Sequence, residues 1–223
     1  MFSVAIDGPA GAGKSTIAKT AAKKLGFIYV DTGALYRAVG LACLRKGIST
    51  DDKDEITVLI GEISVELVYI DGEQRVLLDG EDVSEKIRTE DVSMAASVVS
   101  KIPEVRMFLL ELQRGFSRTN DIIMDGRDIG TVVLPGAQVK IFLTASPESR
   151  ADRRTLQLRE KGESVDREAI LNDIIKRDYQ DTHRKTAPLR AAEDAHIIDT
   201  TQLTLEESVE AVMKCIREGM SGK

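Results

Sequence analysis

Gly8-Pro9-Ala10-Gly11-Ala12-Gly13-Lys14-Ser15-Thr16 fits the pattern G-x-x-x-x-G-K-[ST]. Before it, residues 2–7 (Phe2-Ser3-Val4-Ala5-Ile6-Asp7) form a short, mostly apolar run that predicts a buried strand. After it, Ile17, Ala18, Ala21, Ala22 and Leu25 recur on one helical face, and Gly26 supplies a C-terminal stop. Strand, glycine loop and helix are the context in which this pattern binds a nucleoside triphosphate. Glycines let successive backbone N–H groups converge on a phosphate, and the helix N-terminus adds its positive end. Lys14 is then the side chain for the β- and γ-phosphates, and the Ser15 hydroxyl the ligand for Mg²⁺. The plain alternative is a glycine turn that binds nothing.

The chain has 223 residues, enough for a full core, and the expectation is one domain spanning 1–223 with insertions. Charged residues make up 30% and no long apolar span occurs, as in ordinary soluble globular proteins. A net charge of −6 and the absence of tryptophan argue against nucleic acid as a partner, and no membrane partner is expected. The chain enters its first strand at once, which predicts no signal peptide. Cys43 and Cys215 lie far apart in helical patterns and read as small buried hydrophobes in a reducing cytoplasm. His183 and His196 are too isolated to form a metal site.

Further along, residues 27–30 predict a second strand, and Asp31 or Thr32 caps a helix running to about Lys46. Asp51 and Asp52 open a short helix that ends near Gly61. Three β-rich runs follow, at 65–70, 75–78 and around Val83, separated by Asp71-Gly72 and Asp79-Gly80. They predict a small antiparallel meander inserted at 62–103 into an alternating α/β core. Helices are expected at 89–100 and 103–116, and core strands at 122–125, 139–143 and 196–199. Ser146 caps a helix to about Lys161, Gly162 breaks it, and Asp166 begins another reaching about Arg184. Thr204 and Glu207 form a capping box for the last helix, and Ser221-Gly222-Lys223 is expected to fray.

Strands alternating with helices imply a five-stranded parallel sheet covered on both faces. Ligands to such a sheet sit beyond the carboxyl ends of its strands. That rule selects the glycine loop, Asp31-Thr32, residues 125–128 and the segment after Leu143. Arg37, Arg127 and the set Arg150, Arg153 and Arg154 lie near those ends, the last three on one helical face. Arginine forks suit phosphate oxygens, although solvated surface arginines would look the same. An N-K-x-D base-recognition motif, as a switch GTPase carries, is absent from the sequence. Two phosphate sites, one for a triphosphate and one for an acceptor, point to a small-molecule kinase.

Residues 8–14, Asp31-Thr32-Gly33-Ala34-Leu35-Tyr36-Arg37, Gly80-Glu81-Asp82-Val83-Ser84, residues 125–133 (Asp-Gly-Arg-Asp-Ile-Gly-Thr-Val-Val) and Ala187-Pro188-Leu189 together resemble the bacterial cytidylate kinases. The resemblance covers nearly the whole chain, including the β insertion. It implies a nucleoside monophosphate kinase fold with an acceptor-binding insertion and a helical lid at 146–165. It also implies transfer from ATP–Mg²⁺ to CMP or dCMP; separately, a cytoplasmic monomer is expected. Carried over by residue, Thr32, Arg37, Arg127 and Arg184 hold the acceptor phosphate. Ser97, Arg106 and Asp128 read cytosine, Arg177 and Asp181 the sugar, and the lid arginines cover the transferring phosphoryl. Some relatives carry Gly-Thr after the lysine where this chain has Ser15-Thr16, which leaves the metal's hydroxyl open between the two. Asp125 either positions Mg²⁺ through water or caps the turn after its strand. The rival expectations are a kinase of another acceptor, such as UMP or shikimate, and a non-catalytic nucleotide sensor.

Overall fold

The computed structural model describes residues 1–70 and 72–222. Asp71 of the expected Asp-Gly turn and Lys223 of the expected frayed end lie outside the described residues. The chain divides into two compact units: Met1–Tyr29 together with the chain from Asn120 onward, and Val30–Thr119.

The first unit is built on β1 (Ser3–Asp7), which enters α1 (Lys14–Leu25) through the glycine loop. β2 (Ile28–Asp31) follows and carries the chain across the boundary between the units. The parallel sheet is completed by β6 (Ile122–Gly126), β7 (Val139–Thr144) and β8 (His196–Asp199), in the order β2-β6-β1-β7-β8. Asp7 at the end of β1 registers with Gly126 on one side and Phe142 on the other. The carboxyl ends of three strands therefore meet where the order switches at β1, the position at which such sheets bind ligands. α1 and α8 (Leu205–Ser221) seal the sheet through Ile17, Ala21, Val212 and Ile216, packed with Val4, Ile6 and Ile141. Hydrophobic burial along these faces holds the strand ends in place.

Helix boundaries follow the capping residues. Asp31 rather than Thr32 caps α2 (Thr32–Lys46), and Asp52 rather than Asp51 caps α3 (Lys53–Ile60), each accepting a first-turn N–H. Ser146 caps α6 (Pro147–Glu160), Asp166 caps α7 (Arg167–His183), and Thr204 with Glu207 closes the capping box of α8. Ser221 ends α8 with its hydroxyl on the Arg217 carbonyl, and the Gly222 N–H bonds Glu218. Cys43 is buried as expected, but Cys215 is only partly so, and burial raises both thiol pKa values.

In the second unit, β3 (Val65–Ile70), β4 (Glu73–Leu78) and β5 (Glu81–Asp82) form the antiparallel meander, with Val65 opposite Leu78 and Leu67 opposite Val76. The third strand lies just before Val83, which is buried and donates its N–H to Val76. Asp79 and Gly80 both adopt positive φ, as a tight hairpin turn of this twist requires. Three further helical elements are present: a short 3-10 turn at Lys86–Arg88, α4 (Glu90–Val99) and α5 (Pro103–Thr119). No described helix is long and apolar enough to cross a membrane.

α2 packs on α4 at Gly40, where an added Cβ would lie 2.9 Å from the Ala96 nitrogen and 3.1 Å from the Ala95 Cβ. By contrast, nothing lies within 4 Å of a Cβ built on Gly115 in α5. Gly115→Ala therefore gains helix propensity freely, whereas Gly40→Ala forces the two helices apart. Thermal unfolding should show Tm falling by about 2–8 °C for Gly40→Ala and rising by up to about 4 °C for Gly115→Ala. A raised Tm for Gly40→Ala would mean that the α2–α4 crossing has slack.

Candidate active site

The glycine loop is shaped by what surrounds it in the first unit. Gly8 has φ +149°, and a Cβ there would sit 1.9 Å from the Leu143 carbonyl oxygen, so only glycine lets the chain leave β1 beside β7. Gly13, at φ +86°, precedes α1 without a side-chain cap. The first backbone N–H groups of α1 are left for an external acceptor, the arrangement that binds anions at helix N-termini.

Lys14 is 5% exposed, and its Nζ donates to the Pro9 carbonyl at 2.8 Å. Burial, and then the nearby Arg127 charge, lower its pKa to about 7; Asp125, Asp7 and Asp181 act the other way. An incoming phosphate would restore the charge that burial disfavours.

Asp125, at the end of β6, is buried and accepts from the Ser15 hydroxyl at 2.9 Å and the Tyr29 hydroxyl at 2.9 Å. Of the two hydroxyls that follow Lys14, both on exposed residues, it is Ser15 that meets this carboxylate. A hydroxyl and a carboxylate together at the glycine loop form an oxygen-donor set suited to a hard cation such as Mg²⁺.

Asp7 ties β1 to the segment after β6. Its two carboxylate oxygens accept the Ile129 N–H at 2.7 Å and the Gly130 N–H at 2.8 Å. These amides open a π-helical turn, Ile129–Val133, that periodicity did not reveal. Burial raises the Asp7 pKa to about 6, against the pull of the two N–H bonds.

On the far side of that loop, oppositely charged groups pair in two buried or half-buried couples. Arg127 Nε bonds Asp181 at 2.9 Å, and Arg184 Nη2 lies 3.4 Å from Asp128. Arg184 also donates to the Ala187 carbonyl at 2.6 Å. Four of the expected acceptor-site residues are thus brought together, and the half-buried Arg177 lies on the same helix as Asp181.

The three lid arginines share a helix but not an environment. Arg150 is buried against Asp178, Ala10 and Ala145, Arg153 donates to Thr200, and Arg154 is exposed. Spacing of i, i+3 and i, i+4 places side chains on one face without fixing what each meets.

In the second unit, Thr32 is the buried first residue of α2, and Arg37 pairs with Asp31 at 2.7 Å. Arg106, buried on α5, donates to the Ser100 carbonyl at 3.3 Å and lies 5.7 Å above the Tyr36 ring. Ser97 is half-buried on α4.

Sequence reasoning missed Asp7, Tyr29 and Asp178. The first left a signal, a carboxylate closing a mostly apolar strand directly before the loop. The other two left none, because their partners lie 96 and 28 residues away.

A family model described as "Cytidylate kinase" matches residues 4–218. The chain is 53% identical to a cytidylate kinase of Caldicellulosiruptor bescii, over 96% of this chain and 94% of that one. It is 54% identical to one from Caldanaerobacter subterraneus, over 99% and 96%. With one from Pasteurella multocida it shares 46%, over 99% and 97%. Among solved structures, a gluconokinase from Sinorhizobium meliloti shares the fold at TM-score 0.52 and 13% identity, over 97% of this chain and 92% of that one. With a glycine loop at the switch point of a parallel sheet and a family match along almost its whole length, the chain belongs to the cytidylate kinase family.

Proposed function

We propose that this enzyme transfers the γ-phosphoryl group of ATP to CMP or dCMP, giving CDP or dCDP and ADP. The observation that carries the reaction type is the buried Lys14 side chain inside a glycine loop, in a chain of this family. The acceptor phosphate is already an anionic nucleophile at neutral pH, so the site needs no general base. Positioning and charge neutralisation carry the rate instead.

The glycine-loop amides and Lys14 are assigned to the β- and γ-phosphates. Ser15 and Asp125 would hold Mg²⁺, directly or through water, and the cation would supply neutralisation of phosphate charge. Arg127 and Arg184 are assigned to the acceptor phosphate, Asp128 to cytosine, and Arg177 and Asp181 to the sugar. Of the second unit, the same reading takes Thr32 and Arg37 for the acceptor phosphate, and Ser97 and Arg106 for the base. Arg153 and Arg154, on the lid at 146–165, are assigned to the transferring phosphoryl and to the exclusion of water, which competes as an acceptor. The same reading takes the enzyme as a cytoplasmic monomer.

Replacing Lys14 with Met keeps an apolar stem and removes the ammonium. In a coupled assay with ATP–Mg²⁺ and CMP, kcat should fall at least about a hundredfold. Tm should barely change, which separates loss of the phosphate contact from loss of the fold. Near-normal turnover would contradict the phosphate-cradle reading.

Base choice follows from the edge that Asp128 presents. Its carboxylate accepts from the cytosine N4 amino group, whereas uracil would set its O4 against it. A buried polar mismatch of this kind costs several powers of ten in specificity. The ratio of kcat/KM for CMP over UMP should therefore be large, and Asp128→Asn should narrow it chiefly by weakening CMP. An equal fall for both nucleotides would mean that Asp128 serves only its pairing with Arg184.

A further inference from the structure

We propose that Asp178 and Arg150 form a positioning device that holds the Ala10–Gly11 peptide of the glycine loop with its N–H presented to the triphosphate. The inference rests on the reading of that loop as the triphosphate site, and it gives a role to Asp178, which that reading leaves unused.

The geometry is closed on every side. The Arg150 side chain is 2% exposed. Its Nε donates to the Ala145 carbonyl at 2.9 Å, and its Nη1 to the Ala10 carbonyl at 3.0 Å. Nη1 and Nη2 together grip the Asp178 carboxylate at 2.9 and 2.5 Å, a bidentate pair. Arg150 thus joins α6, α7 and the glycine loop through one planar group.

In a trans peptide the carbonyl and the following N–H point in opposite directions, and no described peptide is cis. Holding the Ala10 oxygen against Arg150 turns the Gly11 N–H away from the guanidinium. Lys14 does the same one residue earlier by holding the Pro9 oxygen. Both carbonyls, which would repel an anion if they faced it, are drawn aside by cations. Gly11, at φ +75°, has the Arg150 side chain as its floor: a Cβ there would lie 3.5 Å from Arg150 Cβ.

Leaving this position to touch a phosphate would break the carboxylate pair and two carbonyl bonds at once, and would strand Asp178. Arg150 acts through the loop backbone, and Asp178 acts through Arg150.

The test uses ¹⁵N-labelled full-length protein titrated with inorganic tripolyphosphate and followed by NMR, with steady-state kinetics alongside. In the wild type, the Gly11 amide resonance should shift on titration while the Arg150 Nε–H resonance stays in place. In Asp178→Asn and Arg150→Lys, the Gly11 shift should be lost or strongly reduced. KM for ATP should rise about tenfold in both, with KM for CMP changed less than about twofold, a split that general loss of α6–α7 packing would not produce. Displacement of the Arg150 signal by tripolyphosphate in the wild type would overturn the proposal even if both variants failed to fold. So would a wild-type Gly11 shift and unchanged ATP KM in folded variants. Failure of the triphosphate reading itself looks different: no glycine-loop amide would respond in the wild type.

Discussion

Everything at the end of β1 answers to one constraint, an ammonium group removed from water. Taking Lys14 out of solvent costs several kcal/mol unless other groups compensate. The fold offsets part of this with the Pro9 carbonyl and the nearby acids Asp125, Asp7 and Asp181, and works against it with Arg127. The balance leaves the pKa of Lys14 far below that of an exposed lysine. A site in that condition is short of negative charge, which a triphosphate supplies. The compensation also explains why so many carboxylates crowd a site built for anions.

Those carboxylates are each committed elsewhere, so they do not repel the phosphates outright. Asp7 spends both oxygens on the Ile129 and Gly130 amides, and so locks the loop that carries Arg127 and Asp128 to the strand that carries the glycine loop. Asp125 is occupied by Ser15 and Tyr29, Asp181 by Arg127, Asp128 by Arg184 and Asp178 by Arg150. Pairing each acid with a donor fixes rotamers before any nucleotide binds. Preorganisation of this kind is what phosphoryl transfer needs, since positioning and electrostatics do nearly all of the catalytic work.

The fold was legible because its signals are local. Apolar strands, alanine-rich periodicity, Asp and Ser caps and Asp-Gly turns act within a few residues, and they placed the elements and the antiparallel meander close to where they lie. The glycine loop and the 125–128 segment were legible for the same reason. Partnerships across the chain were not: Tyr29 reaches Asp125, and Arg150 reaches both Asp178 and Ala10, through packing that no periodicity encodes. The π-helical turn after Asp128 depends on Asp7, more than a hundred residues earlier, and so left no mark in its own sequence. Spacing rightly put Arg150, Arg153 and Arg154 on one helix, yet burial separates the first from the last.

Lys14, its pKa lowered by burial to about 7, should take up a proton when a triphosphate arrives. Calorimetric titration with ATP at pH 8, repeated in buffers of different ionisation enthalpy, counts the protons exchanged on binding. With a pKa of about 7 in the free protein, Lys14 predicts uptake approaching about one proton per ATP in the wild type, and none in Lys14→Met. Binding without proton uptake in the wild type, or equal uptake in the variant, would contradict it.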